Sequence, residues 1–533
     1  MNWKLINIVA IVAIVMINLS CGTAEEEIPI IVEPYKEQHR PQFHFSPKEN
    51  WMNDPNGMVY YEGEYHLFYQ HSPDSNISGA MHWAHAISTD LVHWEHLPIA
   101  LEPDSLGYIF SGSAVIDWKN TSGFGKDGKP PMIAIYTYHL TEGEEAGTND
   151  FQSQGIAYSN DKGRTWTKHD RNPIISNTEK MKDFRDPKVF WHKDSKKWVM
   201  VLACGDRLRI YNSNDLKSWT LQSEFGEGFS VDAFPLECPD LFELKIEGAE
   251  ATKWVMLLSV GNSGQETAPN GGSGTQYFVG DFDGKTFTSA NTKETTLWAD
   301  YGRDNYAGVT WSDIPTEDGR RLFLGWMSNW DYAEVVPTTV WRSAMTIPRE
   351  LSLKNTDDGL RLVSKSIQEL EALRRKKVAV DRANYGFLQN SKLVMNQGTG
   401  TAEVFAEFEI PEGSQANFGI ELKSASQETY RVGFDAATNH YFSNRINTGK
   451  TDFSEKFAPR VHLAPRKTTG NRIKLHCYFD VSSAEIFTDD GMTVMTDVFF
   501  PTEDFIQINV FSDGAGGVEL KGFTFYDLES IWK

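Results

Sequence analysis

Cysteine is scarce in this chain, which has four among 533 residues: Cys21, Cys204, Cys238 and Cys477. They are widely spaced and none lies in a C-x-x-C pair, so a disulfide framework is excluded and structural zinc is argued against. Positive charge is also in deficit, with 51 Lys plus Arg against 73 Asp plus Glu and a formal charge of −22. A field of that sign repels nucleic acid and anionic lipid and favours a neutral or cationic ligand. Long hydrophobic runs are missing apart from Leu5–Leu19. That run is about 15 residues, short of the roughly 20 that a membrane span requires. No phosphate-cradling loop or dinucleotide fingerprint is present either. The fold must stand on its hydrophobic cores.

Material for those cores is ample, since 40% of the residues are hydrophobic and 13% aromatic. A chain of this length exceeds one ordinary core, so at least two domains are expected. At the N-terminus, Met1–Lys4 followed by Leu5–Leu19 has the form of a signal peptide. Ser20 directly before Cys21 resembles a bacterial lipobox, although Asn18 stands where leucine is usual. On that resemblance residues 1–21 form a signal peptide and Cys21 carries the lipid. Residues 22–36, with the acidic run Glu25–Glu27, form a tether. The protein is then exported and held at the cell surface or in the periplasm by lipid alone.

One pattern recurs between residues 40 and 350. Short apolar strands appear at Tyr65–Gln70, Met132–Tyr138, Trp198–Cys204, Trp254–Val260 and Leu322–Met327, each preceded by another β-rich segment. A later signature repeats as well: Ser88, Asp90 and Trp94; Ser159, Asp161 and Trp166; Ser213, Asp215 and Trp219. A degenerate copy is Asp281, Asp283 and Phe287. Units of roughly 50–75 residues that are mostly strand predict a β-propeller, because a single blade cannot bury both its faces. The expected architecture is all-β: a five-bladed propeller over residues 37–362 and a β-sandwich over 378–533. Ser366–Lys377, with Ile367, Leu370 and Leu373 on one side, predicts an amphipathic helix linking them over 363–377.

The chemistry lies in the register of the repeat. An acidic residue stands just before a proline at the same point of three units: Asp54-Pro55, Asp186-Pro187 and Glu237-Cys238-Pro239. The innermost strands of a propeller surround one axis, so these three carboxyls converge. Crowded like charges raise the pKa of at least one of them, separating a permanent carboxylate from a proton donor. Glycosidic cleavage requires that division.

Trp51-Met-Asn-Asp-Pro-Asn-Gly57, Arg185-Asp-Pro187 and Glu237-Cys-Pro239 resemble the three signatures of glycoside hydrolase family 32, the invertases, inulinases and levanases. Phe110-Ser-Gly-Ser113 and Gly325-Trp-Met-Ser-Asn-Trp330 support the likeness, as does Trp341-Arg-Ser-Ala-Met-Thr-Ile-Pro-Arg-Glu350. The resemblance implies a retaining hydrolase of β-fructofuranosyl linkages, with Asp54 as nucleophile, Glu237 as acid/base and Asp186 as transition-state stabiliser. Arg185 would keep Asp186 ionised. Candidates for holding the sugar are Asn53, Gln70, Trp83, Phe110, Ser111, Ser113, Asp304 and Trp326. The substrate class is a fructan, cut most simply from its end, and no cofactor or metal is expected. His82 with His85 and His93 with His96 are three apart on strands, where side chains point to opposite faces and do not chelate.

Where the family usually has a tryptophan after the Gln70 strand, this chain has Ser78. A thinner wall at that point favours a cleft, which leaves endo-levanase as an alternative. Invertase, fructosyltransferase and a non-catalytic fructan-binding protein are further alternatives, the last disfavoured by the intact acid trio.

Overall fold

The computed structural model describes residues 33–226, 228, 235–261, 268–379, 386–397 and 400–532. The expected signal peptide and Cys21 lie outside them. Five antiparallel sheets follow one another along the chain. Their innermost strands are Asn50–Tyr61, Tyr108–Ile116, Phe184–His192, Leu236–Lys245 and Tyr306–Thr310. Each pairs with the strand that follows it, respectively Glu64–Ser72, Met132–His139, Lys197–Cys204, Thr252–Val260 and Arg321–Met327. These second strands are apolar almost throughout because a blade is covered on both faces; every residue of Met132–His139 is buried.

Neighbouring innermost strands touch in order, and the fifth touches the first, which closes a five-bladed propeller. Closure is also made by backbone hydrogen bonding: Trp341–Arg342 adds in parallel to Asn50–Trp51. The edge of the first blade is thereby covered rather than left to recruit another chain. The repeated Ser-x-Asp signature is a turn. In three blades the serine Oγ donates to the aspartate carboxylate two residues on, at 3.1, 2.7 and 3.1 Å for Ser88, Ser159 and Ser213. The aspartate N–H returns a bond to the serine oxygen. This side-chain-to-backbone exchange fixes the tight turn into the outermost strand.

The remainder is a β-sandwich of a seven-stranded and a six-stranded sheet, closed over a core that includes Val404, Phe408, Phe418, Tyr430, Phe479 and Phe525. The expected helix over Ser366–Lys377 is not formed. Gly359–Ser366 is a strand to its last residue, Gln368–Leu373 is a 3₁₀ helix, and Arg374–Ala379 is already a strand of the sandwich. The buried Leu370 and Leu373 are three apart, the repeat of a 3₁₀ turn rather than an α-helix. Arg374 is then drawn out of helical geometry by a fork onto Glu403.

Propeller and sandwich meet across buried ion pairs. Arg349 donates to Glu485 Oε2 through Nε and Nη2 at 3.1 and 2.5 Å, to Asp300 at 3.0 Å and to Thr496 at 2.7 Å. His44 spans Asp480 at 2.8 Å and Glu485 at 3.1 Å. Burial alone would lower the His44 pKa, but these two carboxylates outweigh it and lift it to about 9. Removing one partner from such a network strands the others. Arg349→Met is expected to cost about 3–5 kcal/mol, read as a lower urea midpoint and Tm, with the charge-removing double variant Arg349→Met/Glu485→Gln recovering part of the loss.

Candidate active site

Each innermost strand carries a β-bulge near its start. The register shifts lie between Met52 and Pro55, Ile109 and Gly112, Arg185 and Lys188, Glu237 and Asp240, and Tyr306 and Val309. A bulge inserts an unpaired residue and re-aims side chains. It also accommodates proline, which has no N–H to give the ladder, and Pro55, Pro187 and Pro239 sit at these points. Asp186, Cys238 and Ala307 adopt left-handed φ values of 63°, 45° and 53°. Such conformations cost of order 1–2 kcal/mol per residue, and here three of them ring one axis.

The segment around Asp54 is a chain of mutual supports. Trp51 Nε1 donates to Asn53 Oδ1 at 2.7 Å, and Asn53 Nδ2 donates to Asp54 Oδ1 at 3.0 Å. Asn56 holds the Asp54 carbonyl at 2.6 Å and accepts the Gly112 N–H of the next blade at 2.9 Å. Gly57, with φ 52°, passes so close to the Phe68 and Trp83 rings that a Cβ would lie 2.7 and 2.8 Å from them. From the second blade, Ser111 Oγ donates to Asp54 Oδ2 at 2.7 Å.

The three carboxyls do meet. The Cys238 thiol lies 3.4 Å from Asp54 Oδ2 and 3.6 Å from Asp186 Oδ2, and the Cys238 N–H donates to Asp186 Oδ2 at 3.0 Å. Arg185 donates to Glu237 Oε1 through Nε at 3.1 Å and Nη2 at 2.9 Å, and its Nε stands 4.0 Å from Asp186. Its Nη1 is taken by Asp183 at 2.5 Å. Tyr306 donates its phenol to Glu237 Oε2. The Asp186 N–H donates to Thr137 Oγ1 at 3.0 Å. Asp54 and Asp186 are 9% and 5% exposed, whereas the Glu237 side chain keeps 19%. Two acids are therefore deep and the third is nearer the mouth.

One guanidinium does not balance three carboxyls. Burial first, then the Glu237 charge, raises the Asp54 pKa against the hydrogen bonds from Ser111, Asn53 and Cys238. Asp186 is pushed up to about 7 by burial, with Arg185 opposing and Glu237 and Asp54 adding to the rise. The Cys238 thiol and the Tyr306 phenol are raised well above their ordinary values, mainly by burial and then by the neighbouring carboxylates. Both keep their protons and act as donors.

The other expected sugar contacts divide. Asn53, Ser111, Phe110 and Arg185 belong to the cluster or its border, Phe110 stacking on His139 at 4.1 Å. Gln70 braces the bulge of the second blade by donating to the Ile109 carbonyl at 3.0 Å. Ser113 joins second blade to third, donating to the Pro187 carbonyl and accepting the Val189 N–H. Trp83 and Trp326 are wholly buried and present no face to a ligand. Trp83 packs between Phe68 and Tyr136, and Trp326 beside Trp51. Asp304 is a clear correction. It is buried in the domain interface, accepting from Tyr332 at 2.7 Å, Arg445 at 2.6 Å and the Val498 N–H at 2.9 Å. Sequence reasoning missed Cys238 and Tyr306, which join Ser111 and Asn53 as neutral donors to the acids. It also missed Trp330, the half-buried end of the Gly325–Trp330 motif, whose ring lies 5.9 Å from Trp51 and 4.8 Å from Trp326.

Comparison with known proteins identifies the family. The family model described as glycosyl hydrolases family 32 N-terminal domain matches residues 44–366, and that described as glycosyl hydrolases family 32 C terminal matches 369–527. The chain is 49% identical over 504 residues to a levanase of Bacillus subtilis, covering 93% of this chain and 72% of that one. It is 39% identical to an extracellular exo-inulinase of Aspergillus niger, covering 93% and 96% respectively. The crystal structure of exo-inulinase from Aspergillus awamori superposes with a TM-score of 0.84 at 37% identity, over 94% of this chain and all of that one.

The raised carboxyl pKa values have a testable sign. Between the unfolded value near 4 and the folded value of about 7 for Asp186, the native state holds more protons than the unfolded one. Stability from this cluster therefore falls as pH rises through that window. Asp54→Asn removes one repelling charge, so its Tm is expected to exceed the parent's at pH 7, and the gap to close as the pH approaches 4. Differential scanning calorimetry at both pH values checks this. A gap that widened on acidification would contradict the charge account.

Proposed function

The chain belongs to glycoside hydrolase family 32, and on that premise we propose that it hydrolyses the β-fructofuranosyl linkages of fructans, levan or inulin, with retention and from the chain end. The observation that carries the reading is the meeting of Asp54, Asp186 and Glu237 around Arg185 and Cys238. Asp54 attacks the anomeric carbon and forms a fructosyl ester. Glu237 protonates the departing oxygen and then deprotonates the incoming water, which requires the two carboxyl groups about 5–5.5 Å apart. Of the two Asp54 oxygens, Oδ2 takes the Ser111 hydroxyl and lies beside the Cys238 thiol, while Oδ1 takes only the Asn53 amide. Oδ1 is thus the freer nucleophile. Glu237, on the more exposed side, faces the leaving group.

The negative crowding that raises the pKa values has a use in the reaction. The transition state carries oxocarbenium charge, and a site over-supplied with carboxylate binds that cation better than the neutral substrate. Asp186, held by the Cys238 N–H, supplies acceptors that tighten as that charge develops.

Cutting from the end is supported by the rim. The loop bearing Ser78 is tied to the segment after Trp330, with Ser78 on the Glu334 carboxylate and Asn76 donating to the Thr339 carbonyl at 2.9 Å. Trp330 stands beside Trp51 as an aromatic wall. Export follows from the signal-like N-terminus and from the extracellular nature of the Aspergillus relative. Lipidation of Cys21 would tether the enzyme where polymer is met.

The test is to incubate the protein with levan, inulin and sucrose separately and resolve early products by size. Fructose alone is expected from a fructan. A ladder of oligosaccharides would mean internal cutting, and products longer than the substrate would mean transfer. Glu237→Gln is expected to lower kcat/KM by about 10²–10⁴, and Asp54→Asn to leave no turnover.

A further inference from the structure

The innermost strands of the second to fifth blades run past the catalytic carboxyls and end around another cavity, at the opposite mouth of the propeller. Its volume is about 610 Å³, within the range of small-molecule sites. A polar plug divides it from the catalytic funnel. Lys188 Nζ donates to the Thr310 carbonyl at 2.6 Å and pairs with Asp240 Oδ2 at 3.0 Å. The Thr310 N–H and hydroxyl donate to the same Asp240 oxygen at 2.7 and 2.8 Å. At about 3.3 Å per strand residue, Phe190 at this cavity is about 13 Å beyond Asp186.

The lining has three features that belong together. Trp118, Trp191, Trp254 and Phe190 border the cavity; Trp118 is 58% exposed and the others are half-buried. Four Lys or Arg side chains and five Asp or Glu side chains line the cavity, Lys188 and Arg321 with Asp240 and Asp313 among them, so its charges nearly balance. Hydrogen-bonding capacity is left unspent. Asp240 is wholly buried, yet among the described residues its Oδ1 has no partner. Arg321 lies over the Phe242 ring at 5.3 Å and, among the described residues, makes one long bond, 3.5 Å, to the Trp311 carbonyl. An unused acceptor beside unused donors suits a hydroxyl group, which does both. Flat aromatic faces suit the C–H surface of a sugar ring.

We propose that this cavity is a second, non-catalytic carbohydrate site, which holds a stretch of the fructan polymer while a chain end is cut in the funnel. The choice of fructan as its ligand rests on the function proposed above; the site itself rests on its lining. It raises the local concentration of chain ends by tethering and does nothing for short substrates, which do not need a second grip.

The test uses the catalytically silent Asp54→Asn protein in native gels containing levan or, separately, inulin, with a dextran gel as reference. Trp118→Ala and Arg321→Gln, each added to that protein, are expected to weaken retardation at least about fivefold, a change near 1 kcal/mol. In the Asp54-intact enzyme both are expected to leave kcat/KM on a fructosyl trisaccharide within about twofold. Trp118 is exposed but its Nε1 donates to Asp313 at 2.8 Å, so unchanged trisaccharide turnover in Trp118→Ala shows an intact fold, and that variant then decides alone should Arg321→Gln misfold. Retardation equal to the parent's in Trp118→Ala overturns the assignment. Failure of the unmodified enzyme on the trisaccharide would count against the proposed function and not against the cavity.

Discussion

Three carboxyl groups held against one guanidinium is the constraint on which the molecule turns. Arg185 forks onto Glu237 and stands beside Asp186, the Cys238 thiol lies between Asp54 and Asp186, and the neutral donors Tyr306, Ser111 and Asn53 complete the cluster. Nothing local makes that arrangement favourable, since burial and mutual repulsion raise the pKa of Asp54 and Asp186 and left-handed backbone is needed at Asp186 and Cys238. It persists because a closed ring of blades offers no direction in which the strands can separate. The strain of the site is offset by cores elsewhere, and the blade cores are dense with fully buried aromatic and aliphatic side chains.

Ring closure explains why the second domain matters to the first. The terminal pairing of Trp341–Arg342 on Asn50–Trp51 adjoins the Asp54 segment directly. Eight residues further along the chain, Arg349 enters the interface network with Glu485 and Asp300, while His44, just before the first blade, meets the same Glu485. Both ends of the ring are thus clamped by carboxylates that are fixed in or against the sandwich. Asp304 belongs to this clamp: its charge is met by Arg445, buried beneath Phe457 and Tyr332. The sandwich acts as a buckle, whatever else it does.

Much of this was legible in the residues. The five-fold strand pairing and the acid-proline register both follow from period and position, and together they placed three carboxyls at one point. The Ser-x-Asp repeat was visible as a pattern before its meaning as a turn. What was not legible depends on contacts between distant segments. Asp304 carries the same side chain as Asp54, and only the fold reveals that Arg445, 141 positions away, claims it. Tyr306 follows no acid-proline signature, because it supplies a proton donor and not a carboxyl. Trp326 and Trp330 are chemically alike in one motif, and burial alone separates core from rim. The helix over Ser366–Lys377 failed for a local reason: two buried leucines three apart satisfy a 3₁₀ turn as well as an α-helix.

The same periodicity that builds the catalytic funnel also shapes the far end of the channel. Side chains on a strand alternate between faces, so the set directed to the axis at the start of a strand is directed there again every second residue. Beyond the bulges that face carries Lys188 and Phe190 in the third blade and Asp240 and Phe242 in the fourth. The bulge is what separates the two halves. Beyond it the ladder resumes, and there Lys188 pairs with Asp240 while donating to the Thr310 carbonyl, and the Thr310 hydroxyl donates to the same Asp240 oxygen. The two ends of the channel therefore differ: three carboxyls and left-handed backbone crowd one, whereas Lys188 pairs with Asp240 and aromatic rings border the other.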